Sequence, residues 1–158
     1  MSIFSMNSTL KLFENAIVSF LDELIDQFPT ETNLIFARIF LKDQIPIKTT
    51  MTNFIIKLEQ NNGLLKRMIQ NKNDKFFLEN NVFCIGDSGQ YQIGNNTVNH
   101  FRGIWQSNLD SDDRNTIWKW FESFVLLAEK YKKEKHSGLA LPNSNELTLK
   151  EKCSNKTK

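Results

Sequence analysis

The sequence predicts a mainly α protein: a compact bundle of about five to seven helices, with a small β-hairpin or an ordered loop near residues 82–93. Three observations predict it. Breakers are scarce, since 158 residues carry only 6 Gly and 3 Pro. Large apolar groups are plentiful, with 13 Phe and 3 Trp, and this combination favours long helices over a turn-rich β fold. The third is the stretch NTIWKWFESFVLLAEKY, residues 115–131. Ile117, Trp120, Phe121, Phe124, Leu127, Ala128 and Tyr131 recur there at spacings of three and four, and Trp118 and Val125 widen the stripe. A helix with so broad an apolar face must be covered by several other elements.

The elements follow in order. Ser8 or Thr9 can cap a first helix running to about Phe28, with Leu10, Phe13, Ile17, Phe20, Leu21, Leu24 and Ile25 as its buried stripe. Pro29 stops it, because the residue before proline resists the helical conformation. Thr30 is a second cap, and Glu31–Leu41 a second helix. Leu34, Ile35, Phe36, Ile39 and Phe40 surround much of that helix, which predicts burial on most sides. Pro46 suits the start of a third helix, carried inward by Met51, Phe54, Ile55 and Leu58. Asn61-Asn62-Gly63 ends it, because these residues tolerate a left-handed backbone.

A shorter helix uses Leu64, Leu65, Met68 and Ile69, and 73–80 offers one or two more turns. Val82-Phe83-Cys84-Ile85, the turn Gly86-Asp87-Ser88-Gly89, and Tyr91-Gln92-Ile93 read as the hairpin or loop. Thr97 or Asn99 starts a helix through Phe101, Ile104 and Trp105, with Gly103 weakening it. Asp110-Ser111-Asp112-Asp113 opens the long aromatic helix, and apolar periodicity lapses from about Lys132.

One helical domain is therefore expected over 1–134, followed by an arm over 135–158. The arm has too little apolar area to offset its own ordering entropy, so it is disordered or becomes ordered on a partner. Its candidate partner-binding residues are Lys135, Leu139, Leu141, Pro142, Leu147, Leu149, Lys150 and Lys152.

Charge is distributed unevenly. From Glu129 onward there are eight lysines against four acids, which leaves twelve basic and fourteen acidic residues before it. A nucleic-acid-binding domain usually carries its basic patch on the fold itself, and here the excess sits at the end of the chain. The opening MSIFSMNST has neither a basic region nor an apolar core, so no secretory signal is read there. No apolar run reaches the roughly 20 residues of a membrane span. An intracellular, unsecreted protein is expected. A disulfide between Cys84 and Cys153, and use of the sequons at Asn7, Asn95 and Asn155, are accordingly not expected.

Motifs that carry chemistry are thin. Asp110, Asp112 and Asp113 resemble the start of a calcium loop, but Asn115 and Phe121 stand where glycine and glutamate are needed. Helix capping explains the acids better. Gly86–Gly89 lacks the Lys-Ser/Thr that follows a phosphate loop and reads as a turn. Cys84 and His100 could form a nucleophile and base, but nothing in the sequence orients them. No Cys/His spacing fits a metal site, and no cofactor is implied. The tryptophans could stack bases, yet they fall on core stripes rather than among exposed cations.

Leu24, Phe28 and Pro29, then Asn73, Asp74, Phe76 and Phe77, then Trp105, Ile117, Trp118, Trp120 and Phe121 recur in an order that is similar to a group of small, uncharacterised helical proteins of the nucleocytoplasmic large DNA viruses of algae and amoebae. The resemblance covers roughly 13–131 and departs from the group at 82–96. It implies a virus-encoded protein of the virion or the infected-cell cytoplasm, and carries no functional residue with it. The expected function is structural and non-enzymatic: a minor capsid or other virion-assembly component that docks on protein neighbours, possible capsid or virion subunits, through its surface and arm. The alternative is a nucleic-acid-associated protein using the tail lysines, and a third class is an enzyme dependent on Cys84.

Overall fold

A computed structural model describes residues 3–79, 102–106 and 109–139 of the chain. The described residues form a helical bundle. Its elements are α1 (Ile3–Gln27), α2 (Thr32–Ile39) continued by a π-helical turn (Phe40–Gln44), α3 (Ile47–Gln70), α4 (Asp74–Glu79), α5 (102–106) and α6 (Ser111–Leu139). The hairpin expected near 82–93 lies outside the described residues, as do Cys84, Gly86–Gly89 and His100.

The long aromatic helix is the spine. Ile117, Trp118, Phe121, Phe124, Val125, Ala128 and Tyr131 are all buried, Ala128 completely. α1 lies antiparallel along it: Thr9 meets Glu134 near one end, Trp120 meets Glu23 further down, and Gln27 meets Asp113 at the other end. α3 covers a further side, with the Phe54 ring stacked on Phe13 at 5.9 Å. Ring contacts run without a break from Trp105 to Trp118 (5.6 Å), to Phe77 (5.0 Å), to Phe121 (5.3 Å) and to Phe20 (5.8 Å). They continue from Phe20 to Phe124 (5.7 Å) and from Phe124 to Phe13 (6.1 Å). Most of these pairs are edge-to-face, the arrangement that the ring quadrupole favours. The chain of rings joins α5, α6, α4, α1 and α3 into one core.

Capping explains the acids at the head of α6. The Asp110 carboxylate accepts from the backbone N–H of Asp112 (2.9 Å) and of Asp113 (2.8 Å), while Asp113 accepts from the N–H of Asp110 (3.3 Å). This is a reciprocal capping box built from two aspartates. Asn73 caps α4 in the same way, accepting from Phe76 N–H at 3.0 Å.

Several boundaries differ from the sequence-based expectation. α1 begins at Ile3 rather than after Ser8 or Thr9, and Thr9 is a wholly buried side chain rather than a cap. α2 begins at Thr32, with Glu31 before it forming no side-chain cap. Its burial is also less than its composition predicts. Ala37 is its one buried residue, and Ile35, Phe36 and Ile39 are exposed. A short helix at the rim of a bundle has neighbours on one side only, so apolar residues around its whole circumference cannot all be covered. The π turn follows because Ile45 N–H reaches back to Phe40 C=O (2.9 Å), closing the wider ring before Pro46 sets the start of α3.

Within α3 the helix breaks where Asn61-Asn62-Gly63 was expected to end it. These three residues take φ of 51°, 56° and 74°, all left-handed, and the helical path resumes at Leu64. α6 runs on to Leu139, eight residues beyond the last apolar residue of its stripe at Tyr131. The arm expected from Lys135 therefore starts with residues that still belong to this helix.

Candidate functional site

Three groups of side chains in the described residues merit a chemical reading. The first is the junction of the start of α1 with the end of α6. Glu134 is buried, with 7% of its surface exposed. Ser5 Oγ donates to its carboxylate at 2.7 Å, and Thr9 Oγ1 lies 3.0 and 2.9 Å from its two oxygens. Thr9 Oγ1 also lies 3.2 Å from the Ser5 carbonyl. No ion-pair partner for Glu134 stands among the described residues. A buried carboxylate without a cation depends on such donors, since an unsolvated charge is costly. The Thr9 hydroxyl is fully enclosed, so no substrate reaches it. The cluster is a clasp that fixes α1 against α6. Ser5, Thr9 and Glu134 carry no sequence signal as a group, because 125 residues separate Thr9 from Glu134.

The second is the set of tryptophans. Trp105 and Trp118 each retain 3% exposure, and their rings pack on one another. Arg114 sits over Trp105, its Cζ 5.7 Å from the ring, and donates to the Trp105 carbonyl at 3.3 Å. Arg102 donates to the Leu78 carbonyl and ties α5 to α4. Trp120 is half-buried, and its indole N–H donates to Glu23 at 2.9 Å. Two of the three indoles thus have their faces covered, and the third is engaged by a carboxylate. Trp105 and Trp118 are therefore closed to the stacking that single-stranded nucleic acid uses, while Trp120 packs against Phe20 and Phe124 at 6.1 and 6.2 Å.

The third is the outer surface. Phe4 is 85% exposed, Ile3 76%, Leu126 66% and Phe36 56%. Ile35, Phe36 and Ile39 make one apolar face on α2. Beside it Arg38 engages Asp22 through two nitrogens. That hydrogen bond raises the Arg38 pKa above its ordinary value. Both side chains are partly exposed, so the pair contributes no more than an ordinary surface ion pair.

No protein-family model, curated protein or solved structure matches the chain.

Among the residues expected to bind a partner, Lys135 is exposed on the last turns of α6, and Leu139 is its final residue. Leu141, Pro142, Leu147, Leu149, Lys150 and Lys152 lie outside the described residues. His136 is exposed near Lys135. Among the described residues no group of three or more His, Cys, Asp or Glu is placed to hold a metal ion. No helix there is long and apolar enough to cross a membrane. Sequence reasoning did not foresee the exposed apolar side chains of α1 and α2. Their residue types match core residues, and only the packing of neighbours separates the two.

Proposed function

We propose that this chain is a non-enzymatic interaction protein that docks on other proteins through its outer faces and its C-terminal segment. The observation that supports the reading is the division of its large apolar residues. The aromatic stripe of α6 is consumed inside the bundle, with Trp118 and Phe121 at 3% and 2% exposure. A second population, Ile3, Phe4, Leu12, Ile35, Phe36, Ile39, Ile56 and Leu126, faces outward. Where such side chains gather, as on α2, they mark surfaces that other proteins cover.

The setting, a virion or its assembly in an infected cell, is implied by the viral resemblance alone. The test is sedimentation of the protein from its native source. A docking protein travels with a large assembly, whereas one that sediments as a free small protein is not a stable subunit of anything.

A second reading, association with nucleic acid, is favoured by the exposed Lys130, Lys133 and Lys135. It requires DNA affinity that falls steeply between low and physiological salt, because binding through phosphates releases counterions. No binding at low salt removes it.

A further inference from the structure

Building on the docking reading, we infer that the outer seam between α1 and α6 is a groove for an acidic amphipathic helix of a partner protein. The facing positions are fixed by the clasp: Ser5 and Thr9 on α1 meet Glu134 on α6. Each step along an α-helix turns the side chain by about 100°. In an antiparallel pair, stepping back one residue from facing positions brings both side chains to the same side of the pair, because the two chains are viewed from opposite ends.

On α1 that side carries Phe4, Ser8 and Leu12, four residues apart. On α6 it carries Lys133, and with it Lys130 and Leu126 at spacings of three and four. The exposures agree: Phe4 is 85% exposed, Leu12 48% and Leu126 66%, and Ser8, Lys130 and Lys133 are exposed as well. Two helices side by side leave a channel between them. Here Phe4 and Leu12 form one wall, Leu126 part of the other, and the small Ser8 keeps the middle open.

Charge selects the occupant. Lys130 and Lys133 have no ion-pair partner among the described residues. The acids near them are turned elsewhere: Glu14 pairs with Lys11, Glu129 with Lys66, and Glu134 is held by Ser5 and Thr9. Glu122 comes only one turn beyond Leu126, away from the lysines. The groove is therefore apolar with a positive wall. A helix that lays Leu-like anchors into it at spacings of three and four, with carboxylates on its flank, matches both features. The α2 face has apolar side chains but mixed charge around it, so nothing there selects an occupant.

The test uses the full chain and two synthetic peptides. Each carries Leu at helical spacings of three and four, one flanked by Glu and its twin by Lys. Binding is read by fluorescence anisotropy, with phosphatidylserine vesicles as a third probe. The Glu peptide should bind about tenfold more tightly than its twin. The double variant Lys130→Glu/Lys133→Glu should erase or invert that preference. Leu126→Ser should weaken both peptides, and Lys42→Glu, remote from the seam, should change neither.

All these positions are exposed, so folding is retained, and circular dichroism checks it. Equal binding of the twins, no binding, or indifference to the double variant overturns the proposal. So does binding to vesicles alone, which would make the surface a reader of lipid. These results concern the seam only; the docking reading fails separately, on sedimentation as a free protein.

Discussion

Deleting the Thr9 hydroxyl isolates what the clasp contributes. Thr9→Val keeps the shape of the side chain and leaves the Glu134 carboxylate with Ser5 as its remaining hydroxyl partner. A buried acceptor deprived of a donor costs about 1–3 kcal/mol, and the charge places the loss towards the upper end. Urea unfolding should show that loss in its midpoint with the slope unchanged. Ser5→Ala should cost less, because Ser5 is only half-buried. At the head of α6, Asp110→Ala removes the acceptor of two backbone N–H groups and should cost about 1 kcal/mol by the same measurement. The two sites differ in how far sequence could foresee them. Asp110 caps its own helix, so its role is local and legible. Thr9 and Glu134 are polar residues whose meaning comes from a neighbour distant in the chain, and a linear reading places Thr9 at a helix start and Glu134 beyond the point where apolar periodicity lapses.

Among the elements, the break inside α3 was readable because it rests on backbone chemistry. Asn and Gly are the residues that enter the left-handed region at least cost, and all three of Asn61, Asn62 and Gly63 do so. A Cβ at Gly63 would meet nothing closer than the Leu58 carbonyl at 3.7 Å, so space is not the obstacle there. Gly63→Ala should still destabilise by about 1 kcal/mol, because φ of +74° penalises any Cβ. Thermal unfolding of the variant measures it, and no change in Tm would mean that the turn relaxes. α2 was not readable. Its apolar residues lie all round the helix, and whether such a helix is wrapped or sits at a rim depends on how many neighbours reach it. The end of α6 was misplaced for a related reason. Apolar periodicity stops at Tyr131, yet Lys and Glu are good helix formers, and buried Glu134 anchors the next turn to α1.

For the whole molecule, the bundle was legible because the aromatic stripe of α6 has one physical solution, enclosure by other helices. The exposed apolar faces were not, since an exposed Phe and a buried Phe are the same letter. The length of α6 moves the place where the domain can be cut. Removal of residues 140–158 leaves Glu134 and all of α6 intact, and Tm should stay within a degree or two of the full chain, whereas binding to the native assembly should be lost. A cut before Glu134 should unfold the start of α1 as well, seen as lost hydrogen-exchange protection there. On the proposed docking function, the indoles belong to the interior while the outside meets other molecules. Acrylamide quenching of single-tryptophan variants, with and without single-stranded DNA, tests this most directly. Trp105 and Trp118 should be protected, Trp120 more accessible, and all three indifferent to the DNA. Strong quenching of Trp105 and Trp118 that the DNA suppresses would contradict it.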